Sequence, residues 1–150
     1  MRAIAVCLAT MLLALGPAPS VAQQGQPPHS WLFGTWTGGV FPVSGTPPAQ
    51  VCFSQPVVIF TRDLVLRATL TEQELAQRVI ESVRTTPTGA EFRFAAAAAP
   101  PSILGGGGSP AAGFGCESPD VLHVQRRSEN EISFPGCAEF PNPLVRCQTR

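Results

Sequence analysis

The chain has 150 residues, ten basic side chains that are all arginine, ten acidic ones that are mostly glutamate, and neither lysine nor tyrosine. Charged residues make up 13% and hydrophobic ones 44%, which is too apolar for a wholly disordered chain, and the length suits one small domain rather than a multidomain enzyme. The formal charge of +0, about −1 once Arg2 is removed, offers no electrostatic footing for nucleic acid or an anionic membrane.

Residues 1 to 22 begin with Arg2, run apolar through Ile4, Leu8, Met11, Leu12, Leu13 and Leu15, break at Gly16-Pro17 and end Ser20-Val21-Ala22. This charged, apolar, small-residue order is that of a secretory signal peptide, and its apolar core is shorter than the roughly 20 residues that cross a bilayer. No stable membrane anchor is expected after cleavage. Alanine, proline, glycine and arginine in excess, with no lysine, match a GC-rich genome, so the chain reads as a bacterial periplasmic or secreted protein.

Cys7 leaves with the signal, and Cys52, Cys116, Cys137 and Cys147 remain as an even set in an oxidising space, which predicts two disulfides. No C-x-x-C pair occurs and His29 and His123 stand apart from the cysteines, so no metal and no cofactor is expected. If the strands run up and down in order, Cys52, Cys116 and Cys137 share one end of the domain. Pairing Cys116 with Cys137 and Cys52 with Cys147 fits that layout, and Cys52 with Cys116 and Cys137 with Cys147 fits nearly as well.

Residues 23 to 30 are polar and proline-bearing and read as a flexible leader that holds His29. From Trp31 the chain is a series of short β-branched or aromatic runs broken by turn residues, which predicts a mainly β domain, a small antiparallel up-and-down barrel or a sandwich. Trp31 to Phe41 is the first run. Val57 to Phe60 and Leu64 to Leu70 form a hairpin around Thr61-Arg62-Asp63, and period two directs Leu64, Leu66, Ala68 and Leu70 toward the core.

Residues 72 to 84 are open between helix and strand. Thr71 with Glu74 is a capping box, Leu75, Ala76, Val79, Ile80 and Val83 form a helical stripe, and Glu74 with Arg78 is an i,i+4 pair. Against this, Val79, Ile80 and Val83 are β-branched, and a strand from Arg78 to Thr86 has a hairpin partner in Ala90 to Phe94. Residues 95 to 115, rich in alanine, proline and glycine, resemble a mobile surface loop, and their glycine run lacks the lysine that a phosphate loop requires. Val121 to Arg126 and Glu131 to Phe134 form a further hairpin, and Phe140 to Cys147 adds a short edge strand.

No catalytic constellation stands out. His123 lies in an alternating run opposite Leu122 and Val124 and reads as a solvent-facing strand histidine, and Glu72 with Glu74 and Glu129 with Glu131 read as solvated charge beside turns.

Within Trp31 to Gly38, the run Gly34-Thr35-Trp36 is similar to the G-x-W that opens the first strand of lipocalins, avidins and the small barrel inhibitors of bacterial metalloproteases. The resemblance implies that Trp36 closes one end of an up-and-down barrel and packs on an arginine from a late strand, here Arg126 or Arg146. The function expected is therefore that of a non-enzymatic secreted or periplasmic binding protein holding a small apolar ligand in the barrel mouth. The alternatives are a protease inhibitor or envelope protein-interaction module that presents its leader or its 95 to 115 loop, and a structural envelope protein.

Overall fold

The computed structural model describes residues 25–52, 56–69, 75–96, 113–114 and 116–148. The signal at 1 to 22, Leu70, the Glu72 and Glu74 pair, and most of the 95 to 115 loop lie outside the described residues. A single 3-10 turn at Ser30–Leu32 leads into β1 (Gly34–Gly38), followed by a short helix α1 (Ala49–Cys52) and then β2 (Val57–Phe60), β3 (Leu64–Ala68), β4 (Ala76–Thr86), β5 (Gly89–Phe94), β6 (Val121–Arg126), β7 (Glu131–Ser133) and β8 (Leu144–Arg146). The eight strands form one closed antiparallel barrel in sequence order, completed where β8 returns to β1 through Trp36↔Arg146, Thr37↔Val145 and Gly38↔Leu144. The expected short edge strand at the tail is therefore not an edge, because β8 pairs on one side with β7 and on the other with β1.

The open choice over 72 to 84 resolves as strand from Ala76 onward. A helix there would satisfy only local bonds, whereas the strand gains β5 as a partner from Ile80↔Phe94 to Thr86↔Gly89 and β3 from Leu64↔Val79 to Arg67↔Ala76. One extra residue between Ile80 and Ser82 makes a β-bulge that bends the long β4. At the far end of β5, Gly89 passes so close to β6 that a Cβ would collide with the Val124 carbonyl, so this position accepts no side chain.

The interior is filled by Trp36, Val58, Phe60, Val65, Phe92, Phe94, Leu122, Ile132 and Leu144, all among the buried core. Here the structure reverses one expectation. Leu64, Leu66 and Ala68 lie on the outer face, half-buried, and Val65 and Arg67 point inward. The reason lies in the neighbouring strand: Val58 and Phe60 both face the core, and the register sets Arg67 opposite Val58 and Val65 opposite Phe60. In this register the leucines share a face with Val57 and Ile59, so turning them inward would have turned Val58 and Phe60 out.

Two further segments depart from their sequence reading. The leader is docked at its end, with the His29 side chain buried between the rings of Phe33 and Phe92 and its Nε2 at 3.1 Å from the carbonyls of Thr61 and Arg62. Phe114, at the close of the stretch read as a coreless loop, is buried against Phe94, Phe134 and Phe140. The connection from β1 to β2, which carries α1, covers the outer side of β1: the Thr37 hydroxyl donates to Pro56 O at 2.8 Å, and Gln148 N donates to Pro47 O.

Both disulfides form with the first of the two pairings considered, Cys52–Cys147 and Cys116–Cys137. The first links the covering segment to the residue after β8, and the second clips the approach to β6 to the exit from β7. Their sequence separations of 95 and 21 imply unequal effects on the unfolded chain. In urea denaturation, C52A/C147A is expected to lose about 4–5 kcal/mol and C116A/C137A about 3 kcal/mol, an order that equal losses would contradict.

Candidate functional site

At the end of the barrel where β1 begins, a compact polar clamp surrounds Trp36. Gly34 has a φ of 118°, a conformation that favours glycine, and it turns the chain so that Trp36 enters the core while its Nε1 donates to Leu32 O at 2.8 Å. The Arg146 guanidinium lies 4.2 Å from the Trp36 ring centroid and donates to the carbonyls of Phe33 at 2.8 Å and Trp31. Of the two arginines considered, Arg146 takes this place, and Arg126 lies 5.1 Å over Trp31 beside it. Burial lowers the Arg146 pKa from its ordinary value, with repulsion from Arg126 acting the same way and Glu129 opposing both. The guanidinium stays charged in any physiological medium.

The opposite end is organised by two arginines whose inward placement the residue pattern did not indicate. Arg67 and Arg78 are each 3% exposed. Arg67 bonds Glu139 at 2.7 Å and lies 5.9 Å from the Phe114 ring, while Arg78 bonds Asp120 and Pro119 O and lies 5.0 Å from Phe94. Each inward cation thus draws the carboxylate of a connecting loop across the barrel end. The pairs are charge-neutral crosslinks between strand and loop. Only an Arg-Asp or Arg-Glu pairing across more than forty residues could have signalled them, and single-sequence periodicity carries no such information.

On the outer face of β4, β5 and β6, the Glu91 carboxylate is flanked by Arg84 at 2.7 Å, Arg93 at 3.6 Å and His123 at 3.8 Å. Cross-strand register alone produces the cluster, since Arg84 and His123 both sit directly opposite Glu91. The hydrogen bond from Arg84 lowers the Glu91 pKa from 4.5; burial opposes it, and the charges of Arg84, His123 and Arg93 add to the lowering. A carboxylate held ionised in this way serves as an anchor for cations and not as a proton donor. His123 is exposed, as its place in the alternating run implied.

The remaining sites considered for chemistry are dispersed. His29 is a buried packing histidine at one barrel end, and Glu129 and Glu131 flank the turn between β6 and β7. Among the described residues, no group of three or more histidine, cysteine, aspartate or glutamate side chains could hold a metal ion. Several grooves open on the outer surface among the described residues. One of about 820 Å³ lies between Pro28 and Trp31, the β4–β5 turn and residues 125 to 129, and one of about 550 Å³ lies beside Pro135 and Phe140. In comparisons with known proteins, no family model matches the chain, and neither a curated protein nor a solved structure matches it.

Substitutions at two positions probe these arrangements. Arg146→Met keeps the bulk over Trp36 but strands the Trp31 and Phe33 carbonyls, and is expected to lower unfolding stability by roughly 2–4 kcal/mol, with Arg146→Lys recovering only part of it. Glu91 has a lowered folded-state pKa, so its contribution is present above the ordinary glutamate value and is lost as pH falls through the depressed one. The gap in urea midpoint between the parent and Glu91→Gln is therefore expected to be widest above about pH 4.5 and to close below it.

Proposed function

We propose that the chain is a non-enzymatic, secreted or periplasmic bacterial protein of lipocalin-like build, whose barrel is a rigid scaffold for binding another envelope protein, a protease being one such partner. The observation that carries this reading is the filling of the barrel by its own rings. Phe60, Phe92, Phe94, Phe114 and Phe134 are each at most 3% exposed and touch one another at centroid distances between 5.4 and 6.4 Å. A carrier of a small apolar ligand needs an enclosed volume of roughly 300 Å³ or more, and these side chains occupy the place where it would lie. Recognition is then left to the outer surface and the barrel ends.

The lipocalin-like build is supported by the Gly34-Thr35-Trp36 start together with the Arg146 guanidinium over Trp36. The compartment is supported by the signal-like order of residues 1 to 22 and by two disulfides, which persist in oxidising, non-cytoplasmic surroundings. Among the described residues no helix is long and apolar enough to cross a membrane.

Native mass spectrometry of the protein purified from its own host tests the reading. A complex with a second polypeptide, giving the bare oxidised chain on dissociation, is the expected result. A stoichiometric small apolar molecule retained by the chain would overturn it.

A further inference from the structure

β4 is longer than the strand that flanks it. Its pairing with β3 stops at Leu64↔Val79, with one further bond from Ile80 N to Asp63 O, whereas its pairing with β5 continues to Thr86↔Gly89. Residues 81 to 86 therefore overhang the turn between β2 and β3, and among the described residues no strand lies on their far side. The turn below is closed on itself, with Thr61 N and the Thr61 hydroxyl both donating to Leu64 O at 2.9 Å. The barrel is closed, yet β4 keeps a stretch of bare strand edge.

The alternation of an antiparallel ladder counted back from the two-residue turn Pro87-Thr88 places the amides of Thr85 and Val83 on this edge, because Thr86, Arg84 and Ser82 spend theirs on β5. Unpaired backbone groups of this kind form a template for an added strand. Next to the edge lies the larger outer groove, which shares Thr85 and Thr86 with it and is floored by Pro28 and Trp31. That floor is fixed in place, since His29 is bonded to the Thr61 and Arg62 carbonyls and Trp31 lies under Arg126. The groove carries Arg126 and Arg127 against the single carboxylate of Glu129, and Arg127 makes no side-chain bond among the described residues.

We propose that the overhanging edge of β4 takes an extended, acidic segment of a partner protein as an added strand, with a carboxylate of that segment directed to Arg126 and Arg127. The proposal rests on the protein-binding reading above and names its surface and the chemistry of its partner. Backbone pairing over about five residues supplies the register, and the arginines select for acidic side chains. A second copy of this chain fits less well. Edge-to-edge pairing over so short a stretch hides far less than the roughly 800 Å² per partner of a stable interface, and it brings two arginine-bearing grooves together.

The test uses the oxidised mature chain and a displayed library of random eight-residue peptides, selected in parallel on the parent, on Thr85→Pro and on Arg127→Glu. Proline is tolerated where the amide faces away from the ladder, so Thr85→Pro blocks the edge with the barrel kept, which its circular dichroism and urea midpoint verify. The expected result is enrichment of glutamate- and aspartate-bearing extended peptides on the parent. Synthetic versions should bind Thr85→Pro at least tenfold more weakly and Arg127→Glu several-fold more weakly, and should slow amide exchange at Val83 and Thr85 at least tenfold. Slow exchange of those amides in the free protein, or peptides that do not distinguish parent from Thr85→Pro, would overturn the edge proposal. Concentration-dependent self-association abolished by Thr85→Pro would overturn it in favour of a second copy. The two readings separate in the host: a polypeptide partner kept by Thr85→Pro leaves the protein-binding reading standing and removes the edge from it, while a retained small molecule in place of a polypeptide removes both.

Discussion

Closure of the barrel depends on three register pairs between β1 and a three-residue β8, which is little backbone to hold the first and last strands together. What secures it is the Arg146 guanidinium, inserted between the Trp36 ring and the carbonyls of Trp31 and Phe33. One side chain on β8 thereby bonds the turn that precedes β1 and covers the largest residue of the core. Because the guanidinium is partly buried, its bonds count for more than at the open surface, and losing the cation removes the side-chain donor to both carbonyls. The indole in turn holds the Leu32 carbonyl, so the entry of the chain, the first strand and the last strand form one unit.

The opposite end uses the same chemistry differently. Arg67 and Arg78 also sit against aromatic rings, but their partners are the carboxylates of Glu139 and Asp120, which are partly solvent-exposed. A buried ion pair adds little net stability compared with an apolar isostere. Its effect here is directional: each arginine admits one loop position and no other, which positions the approaches to β6 and β8 where aliphatic contacts would have left them free to slide. Both ends of the barrel are therefore organised by guanidinium groups, while its middle is organised by phenylalanine.

Strand positions were legible wherever local alternation and turn residues coincided. Val57–Phe60 and Val121–Arg126 emerge with the boundaries the residues suggest, and the exposure of His123 follows from its neighbours. Up-and-down topology left two disulfide pairings open, and the first of them is the one that forms. Three features were not legible, each for a physical reason. The face of β3 is decided by Val58 and Phe60 across the ladder, so the better apolar alternation of Leu64, Leu66 and Ala68 within the strand itself pointed the wrong way. The strand at Ala76–Thr86 competes with sound helical signals and wins through non-local pairing. His29 and Phe114 are buried although their segments have loop compositions, because a single aromatic ring can anchor a stretch that is otherwise polar or small. At the proposed binding surface, the arginines were visible in the sequence and the bare edge was not, since an overhang exists only when one strand outlasts its neighbour.

The disulfide between Cys52 and Cys147 spans seven of the eight strands, and the Cys116–Cys137 link is nested inside it. Any single peptide bond between these two outer cysteines can therefore be hydrolysed without dividing the molecule in two. A protease that nicks one connecting segment between Cys52 and Cys147 leaves fragments that stay covalently joined, with every strand still supplied with its partners. One such cut changes the chain's connectivity but not its membership. Parting the two fragments of such a single cut requires reduction as well.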